Sequence, residues 1–341
     1  MPRVLLAGHD LKFLGPLREH LDALRVPVTE DRWTGHDRHD EDASRRALAD
    51  ADVVLCEWCL GNAVWYSRNV RPSQRLVVRL HRMETETAFP AAVRLAQVEA
   101  VVFVAEHVRD EARAQLGWPA DKTVVVPNAV PVDALRQPKT EGATFTLGLL
   151  GWVPERKRLD RALDVLERLR ARDPRFHLVC KGKAPWELDW VLGRSAERAY
   201  FRDVLARIAS TPLLREAVSF EPFGDDVPAF LRRIGFLLST SDAEGHQVAV
   251  LEAMAAGCLP LVLDRPGARS QYGADQVFGS ATEAALAALD LVTAGPTALA
   301  AARDRASASV AARYDLPAVL PLWDEVLGLT VRSPTLQETA P

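Results

Sequence analysis

The sequence predicts an α/β protein made of two Rossmann-like, doubly wound parallel-sheet domains that face each other across a cleft. Short apolar runs alternate with amphipathic stretches of helical length, which is typical of βαβ units. This alternation occurs twice, on either side of a segment with two prolines, one glycine and no apolar periodicity. A chain of 341 residues is long for one domain and natural for two.

The first half contains five predicted strands, separated by polar or helical connections. They cover residues 3–8, 53–57, 75–81, 100–106 and 123–128. The composition of residues 129–145 then predicts a linker.

The second half repeats the pattern with five further predicted strands at 146–152, 176–182, 217–223, 235–240 and 259–264, and with a closing helix at about 281–312. We therefore predict an N-terminal domain over 1–137 and a second domain over 138–314. A C-terminal helix over 315–330 is expected to pack back on the first domain, and residues 331–341 are expected to form a flexible tail. Ligands of such sheets bind at the carboxyl ends of strands, so the cleft between the halves is the expected site.

The composition excludes several functional classes. With 48% hydrophobic residues, 26% charged residues and a net charge of −4, the chain is that of a soluble globular protein without a global reason to bind nucleic acid. No apolar run approaches the roughly 18 residues of a membrane span, and the N-terminus lacks the apolar core of a signal peptide. We expect a cytoplasmic protein, with a location at the inner face of the membrane left open.

Two short motifs raise the question of a metal. Cys56 and Cys59 have CxxC spacing, but no second pair lies at zinc-finger spacing, so buried free thiols are expected for all four cysteines. Asp225 and Asp226 are interpreted as the acidic N-terminus of a helix. No metal site and no cofactor are predicted.

Two glutamates, Glu244 in a polar loop and Glu252 in an apolar helix, need an explanation because an unpaired buried carboxylate is costly. On one helix they would lie about 12 Å apart, more than the roughly 5–9.5 Å between paired carboxylates in glycosidases. We therefore expect them to contact two ends of one elongated ligand. The amides near Gly245, His246 and Gln247 would hold a phosphate between them, which fits a nucleotide-diphosphate sugar.

Several stretches occur in the order found in one enzyme family. "EGHQVAVLEAMAAGCLPLV" resembles the E-x7-E segment of retaining glycosyltransferases of the GT-B fold, family 4. "TLGLLGWVPERKRLDRAL" is similar to the start of that family's donor domain, and "KTVVVPNAVPVDAL" to the end of its acceptor domain. "VVRLH" resembles the strand with the active-site histidine, and "RVLLAGHDLKFLGPLREHL" the first strand and loop.

The resemblance implies roles for individual residues. Glu244 would contact the hydroxyls of the donor sugar, Lys157 would neutralise the leaving diphosphate, and His81 would face the transferred sugar. Glu252 would bind the ribose. Further residues would bind the sugar and diphosphate (Gly245, His246, Gln247, Val248, Arg156) and the acceptor through the first loop (Gly8, His9, Asp10, Gly15). Lys181 and Gly182 end a strand where the family has an acidic G-D-G motif. They are predicted either to bind the phosphate or base of the nucleotide or to face solvent.

The chain departs from the family pattern at three places. The arginine that precedes the family's lysine is Trp152 here, and Arg156 and Arg158 are the nearest substitutes. His246 and Gln247 replace an aromatic residue and a glycine, and are interpreted as residues that contact the sugar or narrow the choice of donor. The family's N-G turn is Asn128-Ala129 here.

Two surface questions stay open at this stage. The arginines at 68, 71, 75, 79 and 82 are solvated surface by default, and otherwise a patch for an anionic acceptor or an anionic membrane surface. Trp58, Trp65 and Tyr66 could stack on a sugar or belong to the core.

The resulting expectation is a metal-independent retaining glycosyltransferase that transfers a sugar from a nucleotide-diphosphate donor to a hydroxyl. The acceptor would be a saccharide, a lipid-linked saccharide or a small molecule, in polysaccharide, glycoconjugate or glycosylated-metabolite biosynthesis. Alternatives are a sugar-nucleotide epimerase or phosphorylase on the same fold, and a catalytically inactive nucleotide-sugar-binding partner subunit, which Trp152 and "GHQ" favour.

Overall fold

A computed structural model describes residues 1–329 and divides into two compact units. The first unit holds residues 1–129 together with the described chain from Leu316 onward, and the second holds Val130–Asp315. The tail predicted over 331–341 lies outside the described residues.

The first unit is built on a six-stranded sheet with the order β2-β1-β3-β4-β5-β6, in which every pair is parallel. Its strands are β1 (Val4–Gly8), β2 (Val28–Arg32), β3 (Val53–Glu57), β4 (Arg75–Leu80), β5 (Ala100–Phe103) and β6 (Thr123–Val125). The helices between them are α1 (Gly15–Ala23), α2 (Glu41–Asp50), α3 (Gly61–Asn69), α4 (Phe89–Ala92) and α5 (Glu106–Leu116).

The second unit has its own six-stranded parallel sheet, with the order β12-β11-β10-β7-β8-β9. Its strands are β7 (Thr146–Leu150), β8 (His177–Lys181), β9 (Val218–Glu221), β10 (Phe236–Ser239), β11 (Leu259–Leu263) and β12 (Val277–Phe278). Its helices are α6 (Val132–Leu135), α7 (Leu159–Arg170), α8 (Asp189–Leu192), α9 (Ser195–Ser210), α10 (Val227–Arg232), α11 (Val248–Ala255), α12 (Ala268–Tyr272), α13 (Ala281–Ala294) and α14 (Pro296–Tyr314). Helix α15 (Leu316–Leu327) follows and belongs to the first unit. Two parallel α/β sheets confirm the predicted fold class.

The central strands were predictable because both of their faces are buried. β1, β3 and β11 are buried along their whole length, and buried parallel strands are nearly continuous apolar runs. β2 was not predicted, since its sequence, VTEDR, is polar and it lies at the edge of the sheet with only Asp31 buried. The two-residue β12 at the edge of the other sheet was missed as well.

Three further segments differ from the sequence-based expectations or add to them. The single closing helix is two helices, because Gly295 (φ 92°) and Pro296 interrupt it. The segment expected as a linker contains α6, whose Val132 and Leu135 are buried in the core of the second unit. In α15, Trp323 and Leu327 are buried in the same apolar cluster as Leu17 and Leu21 of α1.

Each sheet has one point where the strand order reverses: between β1 and β3 in the first unit, and between β7 and β10 in the second. In open parallel sheets, ligands bind beyond the carboxyl ends of the strands at such a point. The loops that follow these four strands are therefore where functional side chains are expected.

We predict that Gly235→Ala destabilises the second unit. A methyl group at Gly235 would overlap the backbone carbonyl oxygen of Ala143, so the main chain itself must move. The expected loss is about 1–3 kcal/mol, measured as a lower urea midpoint of unfolding. Gly15→Ala is the matched control, because a methyl group there would have no neighbour within 4 Å. Equal midpoints for the two variants would contradict this close approach.

Candidate active site

The loop after β7 brings two cations to Glu244. Residues Glu155–Lys157 form a 3-10 turn before α7, and Lys157 Nζ lies 2.6 Å from Glu244 Oε1. The guanidinium of Arg156 lies 3.5 Å from Glu244 Oε2 and also donates to the carbonyl oxygen of Ala243. The hydroxyl of Thr240, just beyond β10, donates to the carbonyl oxygen of Lys157 at 2.8 Å. This hydrogen bond connects the loops that follow β7 and β10, the two strands between which the strand order reverses.

The charges of this cluster do not cancel. Burial raises the pKa of the Glu244 carboxyl, but Lys157 and Arg156 outweigh burial and bring that pKa below its usual range. One carboxylate thus faces two cations, which leaves an excess of positive charge beside the start of α11. Arg158 does not add to this excess, because it pairs with Asp160 at 2.7 Å and with Asp242 at 3.0 Å.

Glu252 lies in the middle of α11, and its environment differs from that of Glu244. Within residues 1–329 its side chain has no hydrogen-bond or ion-pair partner, and burial raises the pKa of its carboxyl. A largely buried acid without a partner can accept hydrogen bonds from the hydroxyl groups of a ligand.

His246 and Gln247, which replace the family's aromatic residue and glycine, contact other side chains of the second unit. The amide oxygen of Gln247 accepts from Ser239 Oγ at 2.6 Å and from an Arg265 nitrogen at 3.0 Å. His246 is buried, with its ring 5.1 Å from the ring of Tyr314. These side chains anchor the start of α11, where the backbone amides of its first turn, at Val248 and the next residue, have no acceptor inside the helix.

Trp152 belongs to the core of the second unit. It is 1% exposed and packs against Phe220 and Phe201, at ring distances of 4.8 and 5.7 Å. Beside it lies a cavity of about 360 Å³, whose wall includes Gly182 and the largely exposed Phe223. The walls of this cavity are mostly apolar, and they lie at the carboxyl ends of β7 and β8.

Lys181, at the end of β8, also borders the cavity. Its ammonium group is held by Asp226 at 2.7 Å and by the carbonyl oxygen of Pro222 at 3.1 Å. Asp226 is the residue that precedes α10, in line with the interpretation of the Asp225–Asp226 pair as a helix N-terminus.

In the first unit, His81 is part of a buried charge network at the ends of β3 and β4. Its Nε2 lies 2.9 Å from Glu57 Oε1, and the Arg79 guanidinium lies 3.3 Å from the same oxygen. Arg79 also donates to Asn128 Oδ1 at 2.6 Å. Burial raises the pKa of the fully buried Glu57, but Arg79 and His81 outweigh it, so that pKa lies below its usual range.

Trp58 covers the ring of His81 and is held in a strained backbone conformation. The ring centroids are 4.0 Å apart, and Trp58 has a φ of 68°, which is rare for a bulky residue. Its indole nitrogen donates to the carbonyl oxygen of Asp10 at 2.8 Å, and Phe13 lies 5.1 Å from His81. The strain is maintained by contacts with the first loop and with the histidine.

The first loop is placed by the close approach of β1 to β3. A methyl group at Gly8 would lie 2.7 Å from the carbonyl oxygen of Glu57. His9 then lies 5.8 Å from Trp58, ring to ring, and Asp10 pairs with Lys12 at 2.6 Å. Gly15 is the first residue of α1, away from this cluster of rings.

Sequence reasoning missed Glu57 and mistook Arg79. Glu57 is the one charged residue of the apolar strand β3, and an acid in such a strand could have indicated a functional residue. Arg79 was expected on a solvated surface, but it is 1% exposed and supports the His81 network, so the arginine stretch is not one patch. Of the aromatic residues, Trp58 lies at the site, whereas Tyr66 is a core residue bonded to Asp31 at 2.7 Å.

Residues 1–329 show neither a cluster of metal-ligand side chains nor a helix suited to cross a membrane. No group of three or more His, Cys, Asp or Glu side chains there is placed to hold a metal ion. All four cysteines are buried and free, as predicted. Among the helices of this range, none combines the length and apolar character needed to cross a membrane.

Part of the second unit is similar to a known protein family. Residues 144–294 match a family model described as glycosyl transferases group 1. This segment contains the Lys157 turn, Glu244 and Glu252. The match supports a glycosyltransferase. No curated protein matches the sequence.

Solved structures of GT-B glycosyltransferases share the fold at low identity. Alr3699/HepE from Anabaena, in complex with UDP-glucose, is 16% identical, with a TM-score of 0.71 over 97% of this chain and 100% of that chain. A glycosyltransferase from Rickettsia africae ESF-5 is 13% identical, with a TM-score of 0.69 over 96% and 100%. A UDP-forming α,α-trehalose-phosphate synthase from Burkholderia xenovorans is 12% identical, with a TM-score of 0.72 over 97% and 100%.

We predict that Glu252→Gln stabilises the protein at neutral pH. Because the folded-state pKa of Glu252 is raised, the folded state is disfavoured as pH rises through that pKa, and it stays disfavoured at pH 7. The neutral isostere removes this cost, which we expect to raise the unfolding free energy by about 1 kcal/mol at pH 7.

The difference between wild type and Glu252→Gln should vanish below a pH of about 4, where the acid is protonated in both states. Denaturant titration at both pH values checks this. Glu111→Gln, on the exposed face of α5, is the control. A loss of stability at pH 7 would show that Glu252 has a favourable partner.

Proposed function

We propose that the protein is a retaining glycosyltransferase that uses a nucleotide-diphosphate sugar and a hydroxyl acceptor. The observation that carries this proposal is Glu244 held between Lys157 and Arg156, with excess positive charge beside the start of α11. Such a site suits a ligand with hydroxyl groups next to a diphosphate. The carboxylate accepts from the hydroxyls, while the cations and helix amides meet the phosphates.

Two further features of the second unit support the proposal that it binds the rest of the donor. The unpartnered Glu252 would accept hydrogen bonds from the ribose hydroxyls. The apolar cavity beside Trp152 and Phe223, with Gly182 in its wall, has a volume of about 360 Å³ and suits a stacked nucleobase. Similar folds were solved with UDP or UDP-glucose, so UDP-sugars are the first donors to test.

In the proposed reaction, the acceptor oxygen bonds to the anomeric carbon as the bond from that carbon to the phosphate oxygen breaks. The departing phosphate oxygen takes the proton of the acceptor hydroxyl, on the same face of the sugar, so the anomeric configuration is kept. Lys157, Arg156 and the amides of α11 stabilise the negative charge that develops on the diphosphate. These groups provide that stabilisation without a metal ion.

We further propose that His81 contacts the reacting sugar and that the first loop, from Gly8 to Gly15, contacts the acceptor. Glu57 acts through His81 as a positioning residue, since it fixes one ring nitrogen at 2.9 Å. The aromatic rings of Trp58 and Phe13 around the histidine suit the apolar face of a sugar. Acceptors to test are saccharides, lipid-linked saccharides and small hydroxylated metabolites.

The test is incubation with a panel of nucleotide sugars, followed by detection of released nucleotide diphosphate. Turnover with retention of the anomeric configuration, read by NMR of the product, is expected. An inverted product would contradict the retaining mechanism. Binding of donor without turnover, also in the presence of the three acceptor classes, would favour the inactive partner subunit instead.

Lys157→Ala is expected to lower kcat roughly 100-fold or more, because the diphosphate loses one of its two cations in the transition state. Lys157→Arg, which keeps the charge, should retain more activity than Lys157→Ala. Arg161→Ala is the matched control, since Arg161 follows the same turn but pairs with Asp242 at 2.9 Å. Full activity of a folded Lys157→Ala variant would overturn the assignment of this site.

Glu57→Gln is expected to lower kcat about tenfold, since the neutral amide holds His81 less firmly. If Glu57 acts through the histidine, Glu57→Gln should have little further effect in a His81→Ala background. The four proteins of this double-mutant cycle are compared in kcat, with circular dichroism as the check on folding. Additive losses would show that Glu57 acts independently of His81.

A further inference from the structure

A second cavity in the second unit lies away from the donor residues described above. Its volume is about 480 Å³, and it is bordered by the chain after α6, the C-terminal end of α11 and one face of α14. The donor residues lie beyond the carboxyl ends of β7 and β10, whereas this cavity borders residues 255–257, just before β11 begins. The eight residues of α11, a length of about 12 Å, separate it from the start of that helix.

Three cations border this cavity, and none of them has a carboxylate partner within residues 1–329. Arg136 donates to Ser307 Oγ at 3.3 Å, and Lys139 donates to the carbonyl oxygen of Leu231 at 2.9 Å and to Cys258 Sγ at 3.0 Å. An Arg303 nitrogen reaches Thr144 Oγ1 at 3.5 Å, while the buried Arg303 Nε has no partner in the described chain.

Buried cations elsewhere in this protein are satisfied in two ways. Arg79, Lys157 and Lys181 each have a carboxylate (Glu57, Glu244 and Asp226). Arg265 instead donates to the Gln247 amide oxygen and to backbone carbonyl oxygens. Asp304 borders the cavity as well, but it forms no ion pair with the three cations in the described range. Burial lowers the pKa of both Lys139 and Arg303, and the neighbouring Cys258 only partly offsets this effect.

Small residues leave the space in front of these cations open. Ala255, Ala256 and Gly257 border the cavity from α11 and the turn after it, and Ala300 borders it from α14. The volume exceeds that of an inorganic ion, so there is room for an organic group attached to the anion.

We propose that this cavity binds a small organic anion that carries a phosphate group. The guanidinium groups of Arg136 and Arg303 can each present two parallel donors to phosphate oxygens, and Lys139 adds a point charge. The ligand would supply the missing counter-charge and the missing acceptor for Arg303 Nε. The site goes beyond the proposed transferase activity and does not depend on it.

An intramolecular explanation competes with this proposal. Lys139 bonds a carbonyl near the end of α10, and the C-terminal carbonyls of α11 favour nearby cations. These interactions explain the position of Lys139, but they leave Arg303 Nε without an acceptor.

The test is isothermal titration of inorganic phosphate into the full chain at constant ionic strength. It is carried out with Lys157→Ala protein, so that phosphate binding at the donor diphosphate site is weakened. Saturable binding is expected, and Arg303→Gln or Arg136→Gln should weaken it about tenfold or more. Arg305→Gln, an exposed arginine on the same helix, is the matched control and should bind as its parent does.

Arg136 is exposed, so Arg136→Gln keeps the test valid should Arg303→Gln fail to fold. Citrate is titrated in parallel. Binding of citrate without binding of phosphate would overturn the assignment of a phosphate group. The site itself would be overturned by the lack of saturable phosphate binding, or by equal affinities of Arg136→Gln and Arg305→Gln.

Discussion

The pairing of Glu244 with Lys157 and Arg156 organises the candidate donor site. It ties the turn after β7 to the loop after β10, the two strands between which the order of the sheet reverses. The carboxylate needs the cations to stay ionised while largely buried, and the cations need the carboxylate to approach each other. Because two cations share one acid, the cluster keeps a positive charge next to the first turn of α11. The same interaction therefore holds the two loops together and gives the proposed diphosphate site its positive charge.

The first unit uses a related arrangement with a different outcome. Glu57 is fully buried, and Arg79 and His81 compensate its negative charge. The acid therefore positions the histidine rather than binding an external ligand. The strained Trp58 closes this network from the side of the first loop. In both units, an acid at the reversal point of the sheet depends on cations from a neighbouring loop or strand end. That dependence explains why charged residues are tolerated in otherwise apolar surroundings.

The sequence predicts what depends on continuous apolar runs and on local motifs. The buried strands, the loop with Glu244 and the helix with Glu252 follow from such patterns. It does not predict β2, since the sequence of a polar edge strand resembles that of a loop. Nor does it predict the burial of Arg79, since an arginine among several others is expected to be solvated. Glu57 matters only because β4 places Arg79 and His81 beside it, and such tertiary pairing has no signature in a single sequence.

Trp152, which stands in place of the family's arginine, changes the chemistry of the candidate site and still forms part of its wall. An arginine at that position would put a third cation near the diphosphate, whereas the indole packs on Phe220 and Phe201 and forms a wall of the apolar cavity. In the proposed donor site, the charge for the phosphates would then be left to Arg156 and Lys157, which lie on the turn that follows. Such a site is less cationic and more aromatic than the family pattern implies. The proposal therefore assigns more of the nucleotide binding to stacking and less to charge.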